Sequence, residues 1–288
     1  MIGLIYEDIL RAALREDLGR AGDITTDAIV PATLNGHADA VGRKPGIVSG
    51  LGAFARTFTL VDERVTVQLH AADGDRVDAG TPIARVGGPM RAILAAERTA
   101  LNLLSHLSGV ATATDRLVRA VAGTNAAIID TRKTTPGMRA LEKAAVRCGG
   151  GSNHRFGLDD AILIKDNHVA VAGGIRPAIE AARAYAGHLV KIEVEVDSFE
   201  HLEEALAARA DIILLDNFSI EQTRAAVVHT AGRALLESSG GIDETTVRAV
   251  AETGVDLISS GALTHSVRAL DIGLDVSDHV KPVPAVVE

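Results

Sequence analysis

The chain has 288 residues and a formal net charge of −9, a length for one large or two medium domains and a charge that argues against nucleic acid or an anionic membrane as main partner, since those need a basic face. Hydrophobic residues make up 47% and aromatics only 2%, with no tryptophan, so a full, aliphatic core is expected. The single cysteine, Cys148, excludes an intrachain disulfide and fits a reducing compartment. MIGLIYEDILRAALRED has no signal-peptide layout, and no uncharged apolar run approaches the roughly 20 residues that a bilayer span takes. The expected location is the cytoplasm.

In chain order, Ile5, Ile9, Leu10, Ala13, Leu14 and Leu18 recur at helical spacing, with Gly19 as the stop. Gly22 through Asp27 reads as a polar turn. From about His37 to Val86 the segments HADAVGR, GIVSGL, VTVQLH and PIARVG are strand-like, and Asp73 through Gly80 reads as a hairpin in a small β-rich domain. That hairpin also resembles the half-motif of biotinyl and lipoyl carrier domains. Lys44 would be the modified residue, but it lacks the Met or Asp flanks such modules show, so ordinary turn chemistry is the plainer reading. The next segment, Arg91–Gly109, is helical and apolar around much of its girth, with Glu97 and Arg98 in its middle. Burying charge is costly unless it is paired. Either these two join a structural ion pair, or Arg98 reaches a ligand.

From Ala111 strands and helices alternate. Six apolar runs end in polar, charged or glycine residues, at 126–130, 161–165, 190–197, 211–216, 233–239 and 256–261. Helical segments separate them: Thr112–Ala122, Pro136–Cys148, Arg176–Ala186, Phe199–Ala208, Ile220–Thr230 and Glu244–Thr253. This order implies parallel βαβ units in a closed or nearly closed barrel, with an open doubly wound sheet as the alternative. No G-x-G-x-x-G follows the first strand, which weakens a dinucleotide-binding reading. Thr135-Pro136 marks a helix start and Gly149 its end. Leu270–Val276 is a last strand without a barrel partner, expected to return to the N-terminal sheet, and Lys281–Glu288 is expected to fray.

In β/α barrels the active site lies at the carboxyl ends of the strands. Those ends supply Arg132 and Lys133, Lys165, Glu195, Asp216, Ser239-Gly240-Gly241 and Ser260-Gly261, and His154-Arg155 follows the triple glycine at 149–151. Arg and Lys pair strongly with carboxylates and phosphates, so this set suits a small polyanion. A barrel-end salt bridge is the plainer role for any one of them alone. Glu193, Glu195 and Asp197 alternate along one strand and share a face, which calls for Lys133, Lys165 or a metal as counter-charge. With Asp216 they offer oxygen ligands for Mg²⁺ held together with substrate phosphates. The glycine turns after the last two strands suit close approach of backbone N–H groups to a phosphate. His265 is either a ligand contact or a helix-start residue, and Cys148 is read as packing.

These residues resemble the quinolinate phosphoribosyltransferase family, the carboxylating nicotinate-nucleotide pyrophosphorylases. The resemblance runs nearly end to end, through EDLGRAGDITT, AAERTALNLLSHLSGVAT, DTRKTTPGMRALEKAAVRCGGGSNHRFGLDDAILIKDNH, EVEVDS, ILLDNF, ESSGG and GALTHS. Ala144 departs from the family, which often has an aromatic residue there. The resemblance implies an α/β fold: an N-terminal α/β sandwich domain (residues 1–110, with 268–288 returning to it) and an incomplete β/α barrel (111–267). It implies transfer of phosphoribosyl from 5-phosphoribosyl 1-pyrophosphate to quinolinate, yielding nicotinate mononucleotide, pyrophosphate and CO₂ in de novo NAD biosynthesis, with Mg²⁺ required. It further implies a head-to-tail homodimer in which Arg98 reaches the partner's site, with assembly beyond the dimer left open. Carried over by position, Thr131, Arg132, Lys133, His154, Arg155 and Lys165 would hold quinolinate. Glu195 and Asp216 would face the ribose and the metal–pyrophosphate, with Lys133 and Lys165 in the catalytic set. Ser239, Gly240, Gly241, Ser260 and Gly261 would cradle the 5′-phosphate beside His265. The alternatives are a same-fold relative associated with molybdate uptake, a Schiff-base aldolase using Lys165 or Lys133, and the carrier reading.

Overall fold

The computed structural model describes residues 2–276. The expected fraying of Lys281–Glu288 falls outside them. The chain begins with α1 (Ile2–Leu18), α2 (Ile24–Ile29), β1 (Asn35–Gly42), β2 (Gly46–Ile47), α3 (Leu51–Val61), β3 (Thr66–Leu69), β4 (Arg76–Val77) and β5 (Pro82–Pro89). It continues through α4 (Met90–Ala120), β6 (Ala127–Ile129), α5 (Arg139–Cys148), β7 (Ile162–Ile164), α6 (Asp166–Ala172), α7 (Ile175–Tyr185) and β8 (Ile192–Val196). The remainder is α8 (Phe199–Ala207), β9 (Ile212–Asp216), α9 (Ile220–Thr230), β10 (Leu235–Ser239), α10 (Val247–Ala251), β11 (Leu257–Ser259), α11 (Ala262–His265) and β12 (Ile272–Val276). No described helix is long and apolar enough to cross a membrane.

Contacts divide the chain into two units. The first takes the N-terminal residues through Ala113, then Thr135–Gly150, and the chain from Val267 on. It holds an antiparallel sheet in the order β12-β1-β5-β3, with β2 paired to β4. The last strand does return to the N-terminal sheet, Ala38 facing Val276 and Gly42 facing Ile272. Its core is aliphatic apart from Phe54 and Phe58, both fully buried and stacked edge to face. Residues 135–150 belong to this unit and not to the contiguous 111–267 stretch, because Leu141, Ala145 and Val146 of α5 pack with Leu10, Leu107 and Val110.

Four local expectations change here. Gly22 through Asp27 is not only a turn: the Asp23 side chain accepts from Thr26 N–H (3.0 Å) and caps α2. The strand expected over GIVSGL stops at Ile47, because Ser49 N–H turns to Ser108 Oγ (3.0 Å) and Gly50 takes a positive φ of 99°. Residues 51–61, read as part of the β-rich stretch, form α3, whose start is capped by Asp73 Oδ1 accepting from Gly50 and Leu51 N–H. Gly109 does not end a helix; α4 runs through it, and the missing side chain admits the Arg268 carbonyl, which any Cβ would strike. A smaller shift concerns α5, which begins at Arg139 because Gly137 takes a positive φ of 81°.

The second unit comprises Thr114–Thr134 and Gly151–Ser266. Its six strands are parallel in the order β6-β11-β10-β9-β8-β7. The last strand pairs with the first, Ile258 with Ile128, so the sheet wraps around and remains open between β6 and β7. Ser152 bridges to Ile129 on the open side. This is an incomplete β/α barrel. Ile164, Val194, Ile213, Leu215, Leu236 and Ile258 are buried along its strands, and Ile175, Ile179, Leu202, Ala226 and Val247 are buried on its helices.

Candidate active site

The barrel unit holds a cavity of about 460 Å³ whose wall includes Thr131, Arg132, Lys133, His154, Arg155, Lys165, Glu195, Asp216 and Ser239. These are the expected strand-end residues together with His154 and Arg155; the parallel register sets the carboxyl ends of β7, β8, β9 and β10 side by side, and β6 joins them through β11. Strand alternation fills the layer beneath: Leu163 lies two residues before Lys165, Leu214 before Asp216, and Glu237 before Ser239, and all three line the same cavity with Ser259.

Several of its polar groups are held by identifiable neighbours. Lys165 Nζ donates to Glu195 Oε2 at 2.8 Å. Asp216 Oδ2 accepts from Asn217 Nδ2 at 2.9 Å. The turn after β6 is closed by Lys133 N–H donating to Thr131 Oγ1 (3.0 Å), and Thr264 Oγ1 donates to the Lys133 carbonyl (2.8 Å). Fully buried Asp130 accepts from His154 N–H (2.9 Å) and Asn153 Nδ2 (2.6 Å), fixing the segment that carries His154 and Arg155. Burial, then the charge of Arg132, pulls the Arg155 guanidinium below its ordinary value, with Glu193 and Asp160 opposing. Arg132 Nε is buried without a hydrogen-bond partner. Two guanidiniums that repel each other in one cavity, one with an unsatisfied buried donor, make a setting that an anion relieves.

Some expected residues sit elsewhere. Gly240, Gly241, Ser260, Gly261 and His265 are not in the cavity wall, although Ser239 beside them is. Gly240 has a φ of 104° and lies against Asn217 Oδ1, where a Cβ would overlap it. Gly261 lies against Lys133 and His265, and His265 Nδ1 meets Ser266 Oγ at 2.7 Å. Arg98 lines a different cavity, of about 560 Å³, in the first unit with Asp17, Asn102 and His106. Glu193, Glu195 and Asp197 do not share one environment: Glu193 is buried, Glu195 meets Lys165, and Asp197 is exposed and paired with His201. His154, expected to hold a substrate carboxylate, already has both ring nitrogens engaged. Nδ1 accepts from Arg155 N–H (2.7 Å) and Nε2 faces Glu193 Oε2 (2.9 Å). Lys165 and Lys133 are the aldolase candidates, and Lys165 is held as an ammonium partner of Glu195. Cys148 is half-buried, and burial raises its thiol's pKa, which fits packing.

Sequence reasoning passed over Glu237, Ser259 and Asn217, and met Asp130 only as the charge at which an apolar run stops. The signal for Glu237 was present, since it sits two residues before Ser239 on the same strand face. Glu195 and Asp216 also border an adjoining cavity of about 340 Å³ with Asp166 and Asp197. His201 lines it too and is paired with Asp197, so the carboxylates of Glu195 and Asp216, on neighbouring strands, are the oxygen donors left to suit Mg²⁺, which takes few carboxylates and retains water and phosphate ligands.

Fold and cavity define the class: an incomplete β/α barrel whose strand ends gather cations and carboxylates to handle a small polyanion. Family models described as the N-terminal and C-terminal domains of quinolinate phosphoribosyl transferase match residues 23–108 and 110–275. A carboxylating nicotinate-nucleotide pyrophosphorylase of Mycobacterium leprae is 50% identical over 93% of this chain and 96% of its own length. A probable enzyme of the same name from Bacillus subtilis is 47% identical over 95% and 94%. Among solved structures, NadC from Streptococcus pyogenes superposes with a TM-score of 0.90 at 45% identity, covering 96% of this chain and 98% of that one. The chain belongs to the quinolinate phosphoribosyltransferase family. Membership removes the aldolase and carrier alternatives.

Proposed function

We propose that this enzyme transfers phosphoribosyl from 5-phosphoribosyl 1-pyrophosphate to quinolinate with decarboxylation, forming nicotinate mononucleotide, pyrophosphate and CO₂ in NAD biosynthesis. The observation that carries the reading is the clustering of Arg132, Lys133, Arg155 and Lys165 around one barrel cavity in a chain of this family. Quinolinate brings two carboxylates and the phosphoribosyl donor several more charges, so a cationic cavity is needed to hold both.

Arg132 and Arg155 take the quinolinate carboxylates, with Lys133, Lys165 and Thr131 beside them and His154 in the wall. Ordering both substrates in one cavity lowers the barrier by proximity. The ring nitrogen attacks the anomeric carbon as the bond to pyrophosphate breaks, and the carboxylates of Glu195 and Asp216 stabilise the positive charge that develops on the ribose. Loss of CO₂ follows: the electron pair of the broken C–C bond stays on the ring carbon beside the cationic nitrogen, and that carbon takes a proton from solvent. Ser239 and the Gly240-Gly241 and Ser260-Gly261 turns receive the 5′-phosphate, beside His265. Glu195 and Asp216 would hold Mg²⁺, which supplies charge neutralisation for the departing pyrophosphate when bound. The protein supplies position and charge without a covalent enzyme intermediate; trapping an enzyme adduct during turnover would refute that.

The working unit is a homodimer in which Arg98 of one subunit serves the partner's barrel, as the family likeness implies; within its own unit Arg98 lines a cavity with Asp17, Asn102 and His106. A free, half-buried Cys148 suits a reducing cytoplasm. Incubation with quinolinate, 5-phosphoribosyl 1-pyrophosphate and Mg²⁺ should yield nicotinate mononucleotide and CO₂ in equal amounts. No mononucleotide from well-folded protein would overturn the reading in favour of the molybdate-associated relative.

A further inference from the structure

We propose that Glu237 is the proton-bearing member of a buried carboxyl pair and that His154 is a neutral positioning residue, the two together keeping negative charge out of the cavity wall that faces a dianionic aromatic ligand. The inference rests on the proposed reading for the identity of that ligand and on the structure for the rest.

His154 sets the argument. The Arg155 backbone N–H donates to its Nδ1 at 2.7 Å, so that nitrogen carries no proton. The ring proton is therefore on Nε2, which lies 2.9 Å from Glu193 Oε2 and 3.7 Å from Glu237 Oε2. One N–H serves one carboxylate, and the closer is Glu193. Glu237, 1% exposed, is left without that donor. Glu193 Oε1 and Glu237 Oε1 are both buried without a hydrogen-bond partner. Two buried groups that only accept cannot satisfy each other, whereas a proton on one carboxyl turns it into a donor.

The groups facing Glu237 are Glu193 from β8, His154 from the segment after Gly151, and Ser259 from β11. Arg132 and Arg155 line the same cavity. Burial, then the charge of Glu193, pushes Glu237 well above the ordinary carboxylate range, and His154 and the Ser259 hydroxyl oppose this without cancelling it. Atoms of His154, Glu193 and Glu237 lie within 4.8 Å of one another, a spacing that also suits a metal ion. The tautomer argues for the proton: ligation through Nε2 would place the ring proton on Nδ1, where the Arg155 amide hydrogen already points.

Function depends on this state. Glu193 Oε2 is answered by the His154 N–H. An ionised Glu237 would add an unanswered anion beside Arg132 and Arg155 and weaken their hold on a dicarboxylate. Quinolinate KM should therefore rise with alkaline pH, by about tenfold per pH unit above the Glu237 ionisation.

Two measurements test this. Infrared difference spectra of ligand-free wild type against Glu237→Gln should show a carboxylic acid band at neutral pH that the variant lacks, and ¹⁵N shifts assigned with His154→Gln should report a neutral imidazole protonated at Nε2. Neither depends on turnover, so both stand even if the product assay fails and the functional reading falls. Among kinetic readouts, the alkaline rise in quinolinate KM should be present in wild type and flattened in Glu237→Gln, while the KM for the phosphoribosyl donor follows the same pH course in both proteins. An ionised Glu237 at neutral pH, an imidazolium at His154, or a wild-type KM that stays flat would overturn the proposal. So would an equal alkaline rise in both proteins, or a stoichiometric metal in the purified protein that His154→Gln loses. Should Glu237→Gln not fold, the titration of ¹³C-labelled glutamate carboxyls in wild type decides alone.

Discussion

Asp130→Asn should loosen the segment that carries Arg155 while leaving the barrel intact. The wild-type carboxylate is fully buried, and its hydrogen bonds include those from His154 N–H at 2.9 Å and from Asn153 Nδ2 at 2.6 Å. Bonds to a charged acceptor contribute about 1.5–3 kcal/mol each. Asparagine presents one oxygen and one NH₂, so in either orientation one bond survives as a neutral one and the other becomes a donor facing a donor. The expected loss is about 2–4 kcal/mol of unfolding free energy. The backbone bonds Ser152 N–H to Ile128 O (2.8 Å) and Asp130 N–H to Ser152 O (3.2 Å) are untouched, so the strand ends stay paired. Displacement of Arg155 by about an ångström should then lower kcat/KM by roughly 100-fold. Urea unfolding and steady-state kinetics with quinolinate check both numbers. A variant within about 0.5 kcal/mol and twofold of wild type would refute the claim that Asp130 positions the site.

Other outcomes follow from single residues. Gly240→Ala places a Cβ on Asn217 Oδ1 at a φ of 104°; it should cost about 1–3 kcal/mol and raise KM for the phosphoribosyl donor more than for quinolinate, as steady-state kinetics will show. Glu237 has a raised folded-state pKa, so between the ordinary carboxylate range and that raised value the folded protein binds more protons than the unfolded, and stability falls as pH rises. Glu237→Gln should remove this slope, and urea unfolding across pH measures it. Arg98→Ala and Arg132→Ala should each be nearly inactive, and mixed dimers of the two should recover part of the activity; no recovery after verified subunit exchange would remove the cross-subunit role. Phe58→Ala, fully buried against Phe54 at a ring separation of 5.0 Å, should cost about 3–5 kcal/mol in urea unfolding.

The barrel was legible in the chain because alternation of apolar runs and amphipathic helices is a long signal repeated many times. Residues 51–61 were not, because Phe, Thr and Val favour strands and the helix is set by tertiary burial of Leu51, Phe54 and Phe58 and by a cap, Asp73, that lies far along the chain. Gly109 misled for a related reason: a glycine at the end of a periodic run resembles a stop, and only the return of the chain at Arg268 shows why a side chain is excluded. Arg132 and Lys165 were read from strand ends, and Arg155 from its place after the triple glycine. The state of His154 was not, since a histidine next to an arginine in the sequence says nothing about which nitrogen meets the following amide.

The buried acids behind the cations show how a cavity for a polyanion is kept specific. Cations alone would bind any anion and would repel one another on folding. Here Lys165 is turned toward Glu195, and Glu193 faces both His154 and the Arg155 charge. Each fixed anion orders a cation before ligand arrives, which lowers the entropy lost on binding. The same logic limits the number of anions, since every ionised carboxylate beyond those needed for order subtracts from the field the ligand feels. Glu237 satisfies both demands by being present as a hydrogen-bonding group and absent as a charge. On that account the specificity of the cavity lies as much in the protonation of its deep layer as in the arginines at its mouth.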